Sequence, residues 1–252
     1  MIRLLALITL ALTACATPIT PMPTPTLDVR PITIITLGDS LTEGDKDDSE
    51  ESGGWPQRIR SILAARRPGS QVINLARSGW TSTDLLYGVN GEPNQIDRAV
   101  DTLRRASGAK IATVWIGAND LFYLYEFGDP TPDEERVDRD RFIANLDETL
   151  RHLSETGAKI FVAQIGDPAA WGAPQGGLFF SITPDEWTRL SKQAAAYDAA
   201  LQLLAAKYTA TLVDVHATHV FTTPALMDID GVHPNGRGYD ALAELWLKVL
   251  TR

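Results

Sequence analysis

Ile32-Thr33-Ile34-Ile35-Thr36-Leu37-Gly38-Asp39-Ser40-Leu41-Thr42-Glu43-Gly44 carries the start of a fold and the start of a site in one stretch. Its first six residues are all apolar or β-branched, the pattern of a parallel strand buried on both faces. The run stops at Gly38, and Ser40 follows two residues later. Open α/β sheets place their chemistry at the carboxyl ends of strands. A hydroxyl there can be a nucleophile, a helix N-cap or a turn residue. The choice depends on whether the rest of the chain supplies a base, an orienting acid and an oxyanion site.

Four more runs repeat the strand pattern, at 72–76, 111–116, 159–165 and 211–215. Helical patterns separate them. Trp55-Pro56 opens one helix, with Ile59, Ile62 and Leu63 as its stripe and Pro68-Gly69 as its stop. Others run from about Asn94 to Arg105, from the charged residues at Asp133–Arg141 to about Glu155, and from Pro184 to about Tyr208 with Thr183 as N-cap. Asn235 can cap a last helix, with Tyr239, Leu242, Leu245, Trp246 and Val249 along its inner side. Strands alternating with helices predict an α/β fold with a parallel sheet covered on both faces. The polar segments Gly38–Gly44, Arg77–Ser82, Gly117–Asp120 and Asp230–Pro234 follow strands one, two, three and five. All four therefore emerge at one edge of the sheet.

Taken together, these segments resemble the motifs of the SGNH, or GDSL, serine esterases. Gly38-Asp39-Ser40-Leu41 is similar to the nucleophile motif, Gly79 to the second, Gly117-x-Asn119-Asp120 to the third and Asp230-x-x-His233-Pro234 to the last, in the family's order over about residues 32–250. The resemblance implies a flavodoxin-like, three-layer α/β/α sandwich with strand order 2-1-3-4-5. It implies an arylesterase- or lysophospholipase-like ester hydrolase. It further implies Ser40, Asp230 and His233 as catalytic residues, an oxyanion hole from Ser40, Gly79 and Asn119, and no metal or organic cofactor.

The chemistry of these residue types agrees. A serine hydroxyl needs a base, and an imidazole is suited to that task. A carboxylate beside the imidazole fixes its tautomer and stabilises the imidazolium. Gly79 has no side chain to block close approach. The motif is not the G-x-S-x-G elbow, because Leu41-Thr42 follows the serine. Asp39 and Asp120 read as structural, through loop hydrogen bonds. Asp214, His216 and His219 compete locally for the acid and base roles, and the Asp230–His233 spacing favours the latter pair. His152 reads as solvent-facing on a helix.

The aromatic run Leu121–Phe127 abuts the site, and Phe122 and Tyr123 are candidates for a substrate pocket. The same run could equally be a helix packed on the sheet. Trp171 and Leu178-Phe179-Phe180, in the loop after strand four, are candidates for the opposite wall or a lid, with Trp171 and Phe179 as its pocket residues. The acidic stretch Asp45–Gly54 reads as a solvated loop and lacks the spacing of a calcium loop.

The chain has 252 residues and a net charge of −9, enough for one large domain and acidic enough to argue against nucleic-acid binding. That balance also offers no basic patch for an anionic membrane. Residues 1–14 read as a secretory signal, and Leu12-Thr13-Ala14-Cys15 resembles a bacterial lipobox, with the sole cysteine as the lipidated residue. Residues 15–31 are rich in Pro and Thr and read as an extended tether; 32–252 form the hydrolase domain. The expectation is an exported, lipid-anchored envelope enzyme acting on small or lipid ester substrates. A carbohydrate acetylesterase or acyltransferase, and a non-catalytic envelope glycan-binding module, are the competing readings.

Overall fold

The structure is a computed structural model and describes residues 31–251. The expected leader, Cys15 and all of the tether except Pro31 lie outside the described residues. Five strands, β1 (Ile32–Gly38), β2 (Gln71–Asn74), β3 (Ala109–Trp115), β4 (Lys159–Ala163) and β5 (Thr211–Val213), form one parallel sheet in the order β2-β1-β3-β4-β5. The expected strand order is the observed one.

The helices are α1 (Ser40–Glu43), α2 (Gly54–Arg66), α3 (Ser82–Tyr87), α4 (Gln95–Arg105), α5 (Ala118–Glu126), α6 (Pro132–Ser154), α7 (Ala173–Gly176), α8 (Pro184–Lys207) and α9 (Gly236–Leu250). Helices α2 and α9 pack together as one layer, joined by the stacked rings of Trp55 and Trp246 at 4.5 Å. Helices α4, α6 and α8 form the other layer, where Phe142 stacks on Tyr197 at 4.0 Å. Central strand β1 is buried from Ile34 onward, which is why its apolar run is continuous rather than alternating.

The caps expected at Thr183 and Asn235 are present. Thr183 accepts from the Glu186 N–H within a reciprocal capping box, and Asn235 accepts from the Gly238 N–H. Strands β2, β4 and β5 each end two residues before their expected runs do. The Asp214 carboxylate accepts from the N–H groups of His216 and Ala217, turning the chain into a 3-10 turn straight after β5. Asn74 turns its side chain to the Thr42 carbonyl and the Thr36 hydroxyl, and past it the chain keeps two backbone bonds to β1, from the Leu75 N–H to Thr36 and from the Arg77 N–H to Gly38. Helix α3 is an addition; its signature is the capping box of Thr81 and Asp84, too short a pattern to show periodicity. The loop after β4 contains a 3-10 turn at Pro168–Ala170 and the short α7.

Candidate active site

Ser40 is the first residue of α1, immediately past the carboxyl end of β1. The preceding Asp39 is the N-cap, its carboxylate accepting from the Leu41 N–H at 3.0 Å. The strand end itself is held from below. The buried Gln95 amide accepts from the Gly38 N–H at 2.9 Å and donates to the Gly38 carbonyl at 2.8 Å. Gly38 has no room for a side chain, because a Cβ there would lie 2.2 Å from the Trp115 carbonyl oxygen.

His233 and Asp230 come from the loop before α9, far away in sequence. His233 Nε2 lies 2.8 Å from Ser40 Oγ, and His233 Nδ1 lies 2.7 Å from Asp230 Oδ2. The other oxygen of Asp230 accepts from the backbone N–H groups of Val232 and His233, both at 2.9 Å. Burial works against ionising Asp230, but these hydrogen bonds outweigh it and hold its carboxyl down at about 2. Its second oxygen is thus a fixed acceptor for the imidazole N–H.

The loop after β2 brings Gly79 to the same place, and three contacts set its orientation. The Ser78 N–H donates to Glu43 at 2.5 Å, the Ser78 hydroxyl to Asp45 at 2.5 Å, and the Tyr123 hydroxyl to the Gly79 carbonyl at 3.0 Å. Gly79 has φ +76°, and a Cβ there would sit 3.1 Å from Tyr123 Oη. Asn119, in the first turn of α5, donates through Nδ2 to the Trp80 carbonyl at 3.0 Å. Among the described residues, neither the Ser40 nor the Gly79 N–H donates to a protein acceptor.

These groups share a cleft of about 410 Å³, walled by Phe122, Tyr123, Leu178 and Phe179. Phe122 stacks on Phe179 at 4.0 Å, joining α5 to the loop after β4. The Leu121–Phe127 run is therefore both things at once: a helix packed on the core and, through Phe122, Tyr123 and Glu126, a cleft wall. Trp171 is not in the wall. It is buried against Phe221, ring to ring at 4.4 Å, because α7 folds back under the Asp230 loop. Gly176 and Gly231 mark that close packing: a Cβ on Gly176 would meet the Asp230 carbonyl oxygen, and one on Gly231 the Gly172 carbonyl oxygen. The segment buttresses the acid loop, and only its tip reaches the cleft.

The competing residues lie elsewhere. His216 Nε2 is 2.8 Å from the Ile165 carbonyl, Asp214 caps its own turn and His219 occupies the left-handed region at φ +55°. Burial lowers the pKa of His216. His152 pairs with Glu148 one helical turn away and is half-buried rather than solvent-facing. Asp120 accepts from the Ser82 N–H and hydroxyl, at 2.8 and 2.6 Å, joining α5 to α3.

The acidic stretch after Ser40 is only partly a solvated loop. The Asp47 side chain is buried and receives Arg58 at 2.6 Å. Arg58 also donates to Asp240 at 2.5 Å and to the Gly236 carbonyl at 2.9 Å, while Asp48 accepts from the Gly236 N–H at 2.7 Å. This ties the loop after Ser40 to the first turn of α9, three residues past His233. Gln95 and Arg58 escape a sequence reading because each is an ordinary polar residue in a helix pattern. Only the fold shows what they reach.

A family model described as the GDSL-like lipase/acylhydrolase family matches residues 36–241. The chain belongs to that family. As a GDSL-type hydrolase it is similar to an arylesterase from Vibrio mimicus, 24% identical over 219 residues that cover 87% of this chain and 88% of the relative. It is also similar to a GDSL lipase from Mycobacterium tuberculosis, 29% identical over 223 residues covering 87% and 81%. In fold it resembles an acetylxylan esterase from Geobacillus stearothermophilus, with a TM-score of 0.61 at 20% identity over 88% of this chain and 95% of the other.

Proposed function

We propose that this GDSL hydrolase cleaves carboxylic esters, carrying the acyl group on Ser40. The observation that supports this most is the hydrogen-bonded line Ser40–His233–Asp230, at 2.8 and 2.7 Å. His233 accepts the serine proton as Oγ attacks the carbonyl carbon, and returns it to the leaving alkoxide. Asp230 accepts the Nδ1 hydrogen and stabilises the imidazolium. The carbonyl oxygen becomes an oxyanion facing the N–H groups of Ser40 and Gly79 and the Asn119 amide. A water molecule then repeats the sequence on the acyl-enzyme.

The walls of the cleft support an apolar acyl or aryl ester. Phe122, Tyr123, Leu178 and Phe179 face a reacting group there, while Asp45 and Glu126 at the same cleft outnumber Lys46 and oppose a strongly anionic substrate. Short-chain acyl esters, aryl esters and lysophospholipids fit that description. Hydrolysis of a panel of p-nitrophenyl esters, lysophospholipids and acetylated sugars tests it. The expected order places the apolar esters first, with activity abolished in Ser40→Ala. Preference for acetylated sugars would move the reading to a carbohydrate acetylesterase, and acyl transfer to an added sugar would move it to a transferase.

We also infer, from the apolar run before Cys15 and the tether after it, that the enzyme is exported and lipid-anchored in a bacterial envelope. Labelled palmitate should enter the protein in cells and be lost in Cys15→Ser. Equal labelling of the variant would contradict the anchor.

A further inference from the structure

A second concavity lies at the opposite edge of the sheet from Ser40, where the strands begin. It is a trough of about 840 Å³ between α2, α9 and the starts of β1, β3 and β4, within the roughly 300–1,000 Å³ usual for small-molecule sites. The sheet register lays its floor: Ile34, Ile111 and Lys159 form one row across three strands, and Ile32 pairs with Ala109 in the row below. Ile59 and Leu63 of α2 form one wall, and Leu247 and Leu250 of α9 the other.

The rim is not apolar. Arg66, Arg67 and Lys159 border the trough, and among the described residues no carboxylate does; Lys110 borders it too, but its ammonium is held by the Thr156 carbonyl at 3.5 Å. Among the described residues none of the four is in an ion pair. Arg66, in the last turn of α2, complements the end of that helix. Lys159 is on a strand and complements no helix end, whereas Lys110 donates to the Thr156 carbonyl just past the end of α6. The net charge of −9 thus hides a basic patch of Arg66, Arg67 and Lys159, assembled from two separate points in the sequence. Three cations at the rim of an apolar trough on an acidic protein match a ligand with an anionic head and an apolar body.

We propose that this trough binds a single-chain anionic amphiphile, a fatty-acid anion, with the chain along Ile34 and Ile111 and the carboxylate among Arg66, Arg67 and Lys159. The site is separate from Ser40 and does not depend on the chemistry there. The chain enters β1 at this same edge, so residues 1–30 are the natural competitor for the trough.

The test uses the full chain and a dodecanoate analogue carrying a diazirine near its chain end, with photo-adducts mapped by peptide mass spectrometry. Adducts are expected on α2 and α9, displaced by plain dodecanoate. The exposed charge reversals Arg66→Glu and Lys159→Glu together should lower capture about tenfold, with thermal unfolding and ester hydrolysis unchanged. Arg67→Glu alone should lower it in the same direction. A dodecyl probe with a trimethylammonium head should be captured poorly. Adducts confined to the Ser40 cleft would overturn the proposal. So would capture indifferent to the charge reversals, or adducts within residues 1–30 and none on α2 or α9.

Discussion

Asn119 has two amide hydrogens, and the Trp80 carbonyl takes one of them. That contact fixes the plane of the amide and leaves the second hydrogen for an oxyanion. Asn119→Ala should therefore lower kcat about 10²–10³-fold, or about 2.7–4 kcal/mol of barrier, with KM little changed. A variant that raised KM alone would assign Asn119 to ground-state binding instead. Asp39 makes a different prediction. Burial pushes its carboxyl from 3.8 up to about 7, against the Leu41 N–H and the nearby His233, which pull it down. The folded protein then holds this proton more tightly than the unfolded chain. Stability falls as pH rises from about 4 to about 7, and the loss is complete above that. Asp39→Asn keeps an acceptor for Leu41 and removes the titration. Its melting temperature should fall less than that of the parent chain across that window, and parallel curves would contradict the assignment. Asp230 acts on the acid side with the opposite sign: its stabilisation is full above about 4 and is lost as pH falls through about 2.

Between elements, the contact that matters most to the site is Arg58. It joins the loop after Ser40, through Asp47, to the first turn of α9, through Gly236 and Asp240. Replacing it with Met leaves the Asp47 carboxylate buried without its partner, at a cost of about 3–5 kcal/mol. Denaturant unfolding should show that loss. Kinetics on the folded fraction should show kcat reduced more than KM is raised, because the Ser40–His233 distance loosens while the cleft walls stay. Unchanged kcat would make the cluster structural only. The acidic stretch shows why such links are hard to read in sequence. Asp45, Asp47 and Asp48 look alike there, yet one lines the cleft, one is buried under a guanidinium and one caps a distant helix. Composition marks the stretch as polar, and only the approach of α9 decides which carboxylates leave water. Trp171 teaches the same lesson in reverse. Its place in a loop beside the site suggested a wall, but the fold turned it to Phe221.

Across the whole molecule, the architecture was legible because its signals are local. A continuous apolar run such as 32–37 needs cover on both faces, and alternating helix patterns provide it. The convergence of the four polar segments follows from the same pattern, since every parallel strand ends at the same edge. Ser40 and His233 were brought together by that rule across 193 residues of sequence separation. The cationic trough at the other edge was not legible, because it depends on which residues begin each strand and on where α2 and α9 end. The central claim is that Ser40 is a nucleophile activated by His233. Reaction of the folded protein with a fluorophosphonate, followed by peptide mass spectrometry, tests it most directly. The account predicts one adduct per chain, on the peptide holding Ser40, slowed strongly in His233→Ala and absent in Ser40→Ala. Adduct formation elsewhere, or none on a folded chain that hydrolyses esters, would contradict it.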